Sequence, residues 1–347
     1  MSNDTPWFAV RILSRDPLLT FSSSGLDGVP LPRLAAALPN IFGRPRGLHF
    51  VHTTHTMEPY YDKVAGAFDA AERAMPGHVF VPLATSEMEM YLLAEKGRPS
   101  LLGSGLIFTD ERVWRIVEAS VPRIGLFDAV YSARLATSKR HSLATGVPRL
   151  ILVYPHTIEI ENDAAYRRAL SVLPNAYYAN HAFGKGSYKL LDPVDVIRLF
   201  AHAATGLCLS AAEGCMRVSM EYLLCGLPVV STRSIGGRDR YLENAYCRIV
   251  RDEPDAIAAA VSDLAGQRID RRRIRGHVGS LLAFDRHNFL MNARKLTKRV
   301  LDRDDLLPDF APFLGSIAEF LPLDRHIAQL SGVSVDRGQK QAADSAI

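Results

Sequence analysis

The stretch LSAAEGCMRVSMEYLLCGLPVVST, residues 209–232, decides how the chain is read. It starts inside one apolar strand, GLCLSA (206–211), and ends in another, PVVST (228–232). The segment between them opens at Gly214 and reads as a helix, and strand–helix–strand is the repeating unit of a parallel sheet. Glu213 stands where the first strand ends, and Glu221 follows eight positions later. In a doubly wound sheet ligands gather at the carboxyl ends of the strands, so Glu213 is expected at the binding edge. Gly214 lets the backbone approach a ligand. The free N–H groups of a helix starting there suit a phosphate. Eight helical residues span about 12 Å and about 800° of rotation, so both carboxylates are expected on one side. A sugar joined to a nucleoside by a diphosphate has that shape. The diphosphate would meet the helix start, with sugar hydroxyls on Glu213 and ribose on Glu221, both acids serving as ionised acceptors. By spacing alone, two glutamates eight apart are usually solvated helix surface.

The alternation continues outward. From residue 127 the strands are FDAVYSA (127–133), RLILVYP (149–155), NAYYANHA (175–182), the two above and CRIV (247–250), with helical segments between most of them. Apolar strands joined by helices imply a sheet covered on both faces. The first third is less regular, with strands at Trp7–Leu13, Leu48–Thr53, His78–Ala84 and Ser100–Ile107 and helices at Pro32–Leu38, Tyr60–Ala74 and Ser86–Glu95. Residues 22–32, SSSGLDGVPLP, read as a long loop. VPRIG breaks the pattern near Pro122, so the expected division is 1–122, 123–310, a helical segment 311–330 and a mobile tail 331–347.

A chain of 347 residues suits two domains, and 48% hydrophobic content can supply a core for each. With 41 basic and 37 acidic residues the net charge is only +4, which argues against nucleic acid. Cys208, Cys215, Cys225 and Cys247 include no CxxC pair, so they read as free thiols, three of them in apolar strand or helix context. The start, MSNDTPWFAV, lacks the basic and apolar regions of a signal peptide, and no apolar run reaches a membrane span. A cytoplasmic, reduced protein is expected.

The stretch resembles the C-terminal half of GT-B glycosyltransferases, in particular the retaining family 4-like group that carries an E-x7-E motif, here Glu213 to Glu221. CGLPVVST and the Gly236-Gly237 turn in SIGGRDRYLEN follow in the family's order, as does CRIVRDEPDAIAAAV. The family's Arg and Lys, five apart after the domain's first strand, have their match in Arg134 and Lys139 of SARLATSK. The resemblance covers residues 127 to about 305. It implies an α/β GT-B-like fold, two Rossmann-like doubly wound domains facing a cleft, with the N-terminal one short and divergent. It implies hexosyl transfer with retention, Arg134 and Lys139 gripping the diphosphate and no metal. Beyond the substrate nucleotide-diphosphate sugar, such as a UDP- or GDP-sugar, no cofactor is implied. Fixed cations suit a leaving group that gathers negative charge. Gly214, Cys215, Met216 and Glu221 fall on the donor side. Three departures stand out: Ala133 where glycine is common, Cys215 where an aromatic residue is common, and a further acid after the Gly-Gly turn represented only by Asp239 or Glu243.

Related enzymes often put a histidine at the end of an N-domain strand. His55 of VHTTHTMEPYY (51–61) is the candidate ahead of His52, against loop histidines bonded to backbone. With Glu58 the HxxH spacing lacks a third metal ligand. GKGS (184–187) lacks Walker spacing, but by resemblance Gly184 and Lys185 lie near the base. SSSGLDG (22–28) is the only candidate acceptor loop. Ser86 with Glu89 reads as a capping box. The basic run IDRRRIRGH (269–277) reads as a solvated helix face, or as a membrane-surface patch serving a lipid-linked acceptor. The acceptor itself stays open among a glycan, a lipid-linked sugar and a small molecule. The competing reading is a non-catalytic or regulatory nucleotide-sugar-binding protein of GT-B-like fold, suggested by the short N-terminal half. A two-domain epimerase fits less well, because E-x7-E would be unexplained.

Overall fold

The computed structural model describes residues 7–25, 29–53, 60–118, 127–155, 163–316 and 320–332. It divides into two compact units, one built from residues up to Phe108 together with those from Leu282 onward, the other from Thr109–Leu281.

The first unit opens with β1 (Trp7–Arg15) and β2 (Leu18–Ser24), an antiparallel pair. Then come α1 (Leu31–Ala37), α2 (Pro39–Phe42), β3 (Gly47–Thr53), α3 (Tyr61–Ala74), β4 (His78–Ala84), α4 (Glu87–Glu95) and β5 (Leu101–Leu102). Strands β2 to β5 run parallel. β2 corrects the sequence reading, which placed Ser22–Ser24 in a loop. Three serines carry little strand propensity, yet all seven residues of β2 are buried. Two of the hydroxyls are accommodated because the parallel register sets Thr20 opposite His49 and Ser23 opposite His52. Thr20 Oγ1 lies 2.9 Å from His49 Nδ1, and Ser23 Oγ 3.0 Å from His52 Nδ1. His52 is therefore a buried strand residue rather than a loop histidine. His55 and Glu58 lie outside the described residues. The expected strand Ser100–Ile107 shrinks to β5 followed by a 3-10 turn, Gly105–Phe108. Ser86 caps α4 as expected, its hydroxyl accepting from the Glu89 N–H at 3.2 Å. Glu89, however, reaches back to the N–H and hydroxyl of Thr85 rather than to Ser86.

The second unit holds β6 (Phe127–Ser132), β7 (Leu150–Val153), α5 (Asp163–Val172), β8 (Tyr177–Tyr178), α6 (Ala179–Phe183), α7 (Pro193–Ala201) and β9 (Ala203–Cys208). It continues with α8 (Arg217–Leu224), β10 (Val229–Thr232), β11 (Cys247–Val250), α9 (Pro254–Gln267) and the start of α10 (Arg271–Leu301). The six strands are parallel in the order β11-β10-β9-β6-β7-β8. This is the expected doubly wound sheet. NAYYANHA is strand only at Tyr177–Tyr178 before it turns into α6, and HSLATG forms a 3-10 turn, His141–Ala144.

From Leu282 onward α10 belongs to the first unit. The reason is aromatic: Phe289 packs on Phe50, Phe108, Phe310 and Phe313 at ring separations of 5.2–6.0 Å. Last come β12 (Leu321–Pro322), antiparallel to β1, and α11 (Leu323–Leu330). His326 of α11 donates to the Phe8 carbonyl at 2.7 Å. The expected boundary at Pro122 lies outside the described residues. The expected separate segment 311–330 is joined through β12 to the first sheet. The basic run is not wholly solvated either. Arg271 is buried and donates to the carbonyls of Phe200 and Ala203. Arg275 donates to those of Glu111, Trp114 and Leu224, while Arg272 and Arg273 stay exposed. No helix among the described residues is long and apolar enough to cross a membrane.

One buried relay crosses the first sheet. His78 Nε2 donates to the Arg44 carbonyl at 2.7 Å, which leaves His78 Nδ1 to accept from His49 Nε2 at 2.8 Å and His49 Nδ1 to accept from Thr20. Each proton has a place with both imidazoles neutral. Gly47 makes room for the relay, since a Cβ there would sit 2.5 Å from His78 Nδ1. Burial, with His78 adding to it, pushes His49 down to about 3. The native state thus binds fewer protons than the unfolded chain below the ordinary histidine value. Stability is full above about pH 6.5 and is lost toward pH 3, at up to about 1.4 kcal/mol per pH unit. In urea unfolding over that window, His49→Gln should show a shallower loss than wild type, by close to one proton.

Candidate functional site

The order of the second sheet reverses between β6 and β9. At such a point the chains leave the carboxyl ends in opposite directions and open a crevice. β6 runs into Ala133–Arg140, and β9 into Leu209–Met216. The structure brings Lys139 of the first segment against Glu213 of the second, Nζ to Oε1, with only 13% and 15% of the two side chains exposed. Lys139 ends a 3-10 turn, Thr137–Lys139, and its carbonyl accepts from the buried Tyr131 hydroxyl. Arg134 is half-buried on the same segment and makes no hydrogen bond or ion pair to a described residue.

Glu213 is held by backbone. Its N–H donates to the Ile235 carbonyl at 2.9 Å, and the Ile235 N–H donates to the Ala211 carbonyl at 2.9 Å. A parallel bridge, Ala212 to Ile235, thereby prolongs the sheet beyond β9 and β10. The Gly-Gly turn is what permits it. Gly236 has φ +114°, and a Cβ there would lie 2.3 Å from the Glu213 carbonyl oxygen. Below, Tyr222 of α8 lies on Gly206 of β9, where a Cβ would come within 2.4 Å of its ring. Its hydroxyl accepts from the Ser132 N–H at 2.7 Å and donates to the Val130 carbonyl at 3.2 Å. α8 is thus seated directly on the reversal point.

Two expectations need correction here. The helix does not start at Gly214. Residues 213–216 are irregular, Met216 is the N-cap, and α8 begins at Arg217. The span worked out for eight continuous helical residues therefore does not apply to Glu213 and Glu221. Nor is Glu221 a plainly ionised acceptor. Burial pushes its carboxyl up to about 7, against the pull of Arg217 one turn earlier. Burial likewise pushes the Cys215 thiol up to about 12, so it is a neutral group beside the buried Gly214 and Met216. Asp239, the candidate further acid, accepts from Arg238 Nε at 2.7 Å, and Glu243 lies 3.7 Å from His277. All four cysteines are free. Among the described residues no group of three or more His, Cys, Asp or Glu could hold a metal ion.

GKGS forms a tight turn after α6. A Cβ on Gly184 would meet the Ser187 carbonyl at 1.9 Å, Lys185 is exposed with φ 54°, and Gly186 N–H returns to the His181 carbonyl at 2.9 Å.

Sequence reasoning missed Arg140, His141, Tyr222 and Arg238. His141 is buried, and burial with the Lys139 charge pushes it down to about 4, leaving a neutral ring two residues from that lysine. Arg238 is wholly buried and donates to the carbonyls of Cys208, Ser210 and Thr232. No local signal separates Arg238 from Arg233 or Arg240.

Residues 173–267 match the family described as Glycosyl transferases group 1. That segment holds Glu213, Glu221, Gly236 and Arg238. No curated protein matches the chain. Among solved structures, sucrose-phosphate synthase from Thermosynechococcus elongatus aligns at 16% identity over 78% of this chain and 77% of that one, with a TM-score of 0.57. The UDP-forming alpha,alpha-trehalose-phosphate synthase from Burkholderia xenovorans, solved with glucose-6-phosphate, aligns at 13% identity over 79% and 77%, with a TM-score of 0.50. The match to the group 1 glycosyl transferase family thus lies within the second unit, and the chain has the GT-B fold.

Gly236→Ala should cost about 1–3 kcal/mol of stability, because both the positive φ and the Glu213 carbonyl oppose a Cβ. Gly266→Ala, in α9 with nothing within 4 Å of the added carbon, should be neutral or stabilising. Thermal melts of the two variants make the comparison.

Proposed function

We propose that this glycosyltransferase moves a sugar from a nucleoside-diphosphate sugar to a hydroxyl acceptor, with retention of anomeric configuration and without a metal ion. The observation that carries the reading is the Lys139–Glu213 pair at the reversal point between β6 and β9. In the unliganded protein the two charges neutralise each other. A diphosphate entering the crevice competes for Lys139 and so releases the Glu213 carboxylate to accept from the sugar hydroxyls. Arg134 and the start of α8 add positive potential, and Glu221 takes the ribose hydroxyls. In the transfer step the acceptor oxygen bonds to the anomeric carbon as the bond from that carbon to the phosphate oxygen breaks. The leaving diphosphate takes the acceptor proton on the same face. The chain positions the reactants and stabilises the negative charge that grows on the leaving group. Cations supplied by the protein serve where a metal would otherwise be needed.

The test is calorimetry of the purified chain with UDP, GDP, ADP, dTDP and CMP. UDP comes first because one structure of like fold is a UDP-forming enzyme. Binding of one nucleotide, weakened by Glu221→Ala, is expected, and no binding across the panel would overturn the reading. Donor hydrolysis then separates roles. Lys139→Ala should lower turnover more than donor affinity if its contact tightens in the transition state. Turnover unchanged by a chelator and a product with the donor's anomeric configuration are expected.

Glu221 adds a pH dependence. Its carboxyl is raised to about 7, so below that value a proton must leave before ribose can be accepted. Donor affinity should fall toward about tenfold per pH unit between pH 7 and 5. Glu221→Gln should bind more weakly and lose that slope.

A further inference from the structure

We propose that Arg140 is a positioning residue for the transfer reaction: it straps the turn carrying Lys139 onto the ends of β9 and β10 and so holds the Lys139 ammonium against Glu213. The catalytic part of the inference rests on the reading of Lys139 as the cation for the diphosphate. The strap itself rests on geometry alone.

Arg140 has φ 51° and ψ 47°, the left-handed region that a side chain other than glycine seldom occupies. Such a conformation persists where the surroundings determine it, and here they do. The Arg140 N–H closes the 3-10 turn on the Thr137 carbonyl at 3.0 Å. The guanidinium then makes three separate bonds. Nε donates to the Leu209 carbonyl at 2.6 Å, Nη2 to Thr232 Oγ1 at 2.7 Å and Nη1 to Asp252 Oδ2 at 2.6 Å. Two of these anchors are coupled, because Thr232 Oγ1 donates to the same Leu209 carbonyl at 3.2 Å. Both are fixed in turn by Arg238, which binds the carbonyls on either side of Leu209 and the carbonyl of Thr232.

Lys139 is therefore clamped from two directions. Its carbonyl is held by Tyr131, and the residue after it is held by the strap. A lysine ammonium on a flexible four-carbon stem needs such a base if its charge is to be fixed before the reaction. The strap needs an arginine, because only the planar fork sends donors along three directions at once.

The test measures Lys139 directly. The unliganded full chain is treated with limiting acetic anhydride, and the acetylation rate at Lys139 is read by mass spectrometry, with the exposed Lys185 as internal reference. Glu213→Gln sets the rate of an unpaired Lys139. Arg140→Gly removes the strap while suiting the positive φ, so the turn is not strained by the change. Arg140→Lys keeps the charge but not the fork. Both Arg140 variants should raise the Lys139 rate toward that of Glu213→Gln, with the melting temperature and the Lys185 rate near wild type. Unchanged Lys139 rates in both would overturn the proposal. Titration with UDP separates this from the functional reading. Where wild type binds UDP, Arg140→Gly should weaken it by about tenfold, the order expected for a misplaced binding group. Equal UDP affinity in the two would overturn the proposal and leave the donor site standing. A raised Lys139 rate in a chain that binds none of the nucleotides would support the strap and remove the donor site.

Discussion

The ends of β9 and β10 hang on the guanidinium of Arg238. A parallel ladder runs out of N–H donors where its strands stop, yet the carbonyls there still need partners. Arg238 is enclosed completely and supplies donors to Cys208, Ser210 and Thr232, while Asp239 balances its charge. A buried charge is tolerated only when paired and bonded in this way. With those ends held, the Ala212–Ile235 bridge and the close pass of Gly236 over Glu213 become attainable.

The same logic links packing to chemistry. Tyr222 wedges α8 onto Gly206 and ties it to the backbone of β6, so helix, β6 and β9 share one origin. Lys139 and Glu213, 74 residues apart in the chain, then meet across the reversal point. Glu221 of α8 is raised to about 7 by burial of its carboxyl.

The first unit is built on a different principle. Its sheet is mixed, and a strand rich in hydroxyl residues is buried between β1 and β3, where histidines in matching register pair with Thr20 and Ser23 and His49 passes one hydrogen bond on to His78. Aromatic packing around Phe108, Phe289 and Phe313 draws the later part of α10 into this unit. Neither feature follows the alternation of apolar strand and helix that made the second unit readable.

By itself the sequence determined the doubly wound character of residues 127–250, because strand and helix periods are local properties of the chain. It also singled out Lys139, Glu213 and Gly236, which the fold brings together as an ion pair and a glycine whose missing Cβ leaves room for the Glu213 carbonyl. Tertiary structure alone decided the rest. β2 is a buried strand in which two hydroxyls, those of Thr20 and Ser23, meet distant histidines. α8 starts at Arg217 rather than Gly214 because the Glu213 backbone is taken up by Ile235. Glu221 is raised to about 7 by burial that no local pattern reports. Arg140 and Arg238 look like any surface arginine in the sequence. Their roles depend on carbonyls and hydroxyls contributed by other strands, and only the folded chain brings those within reach.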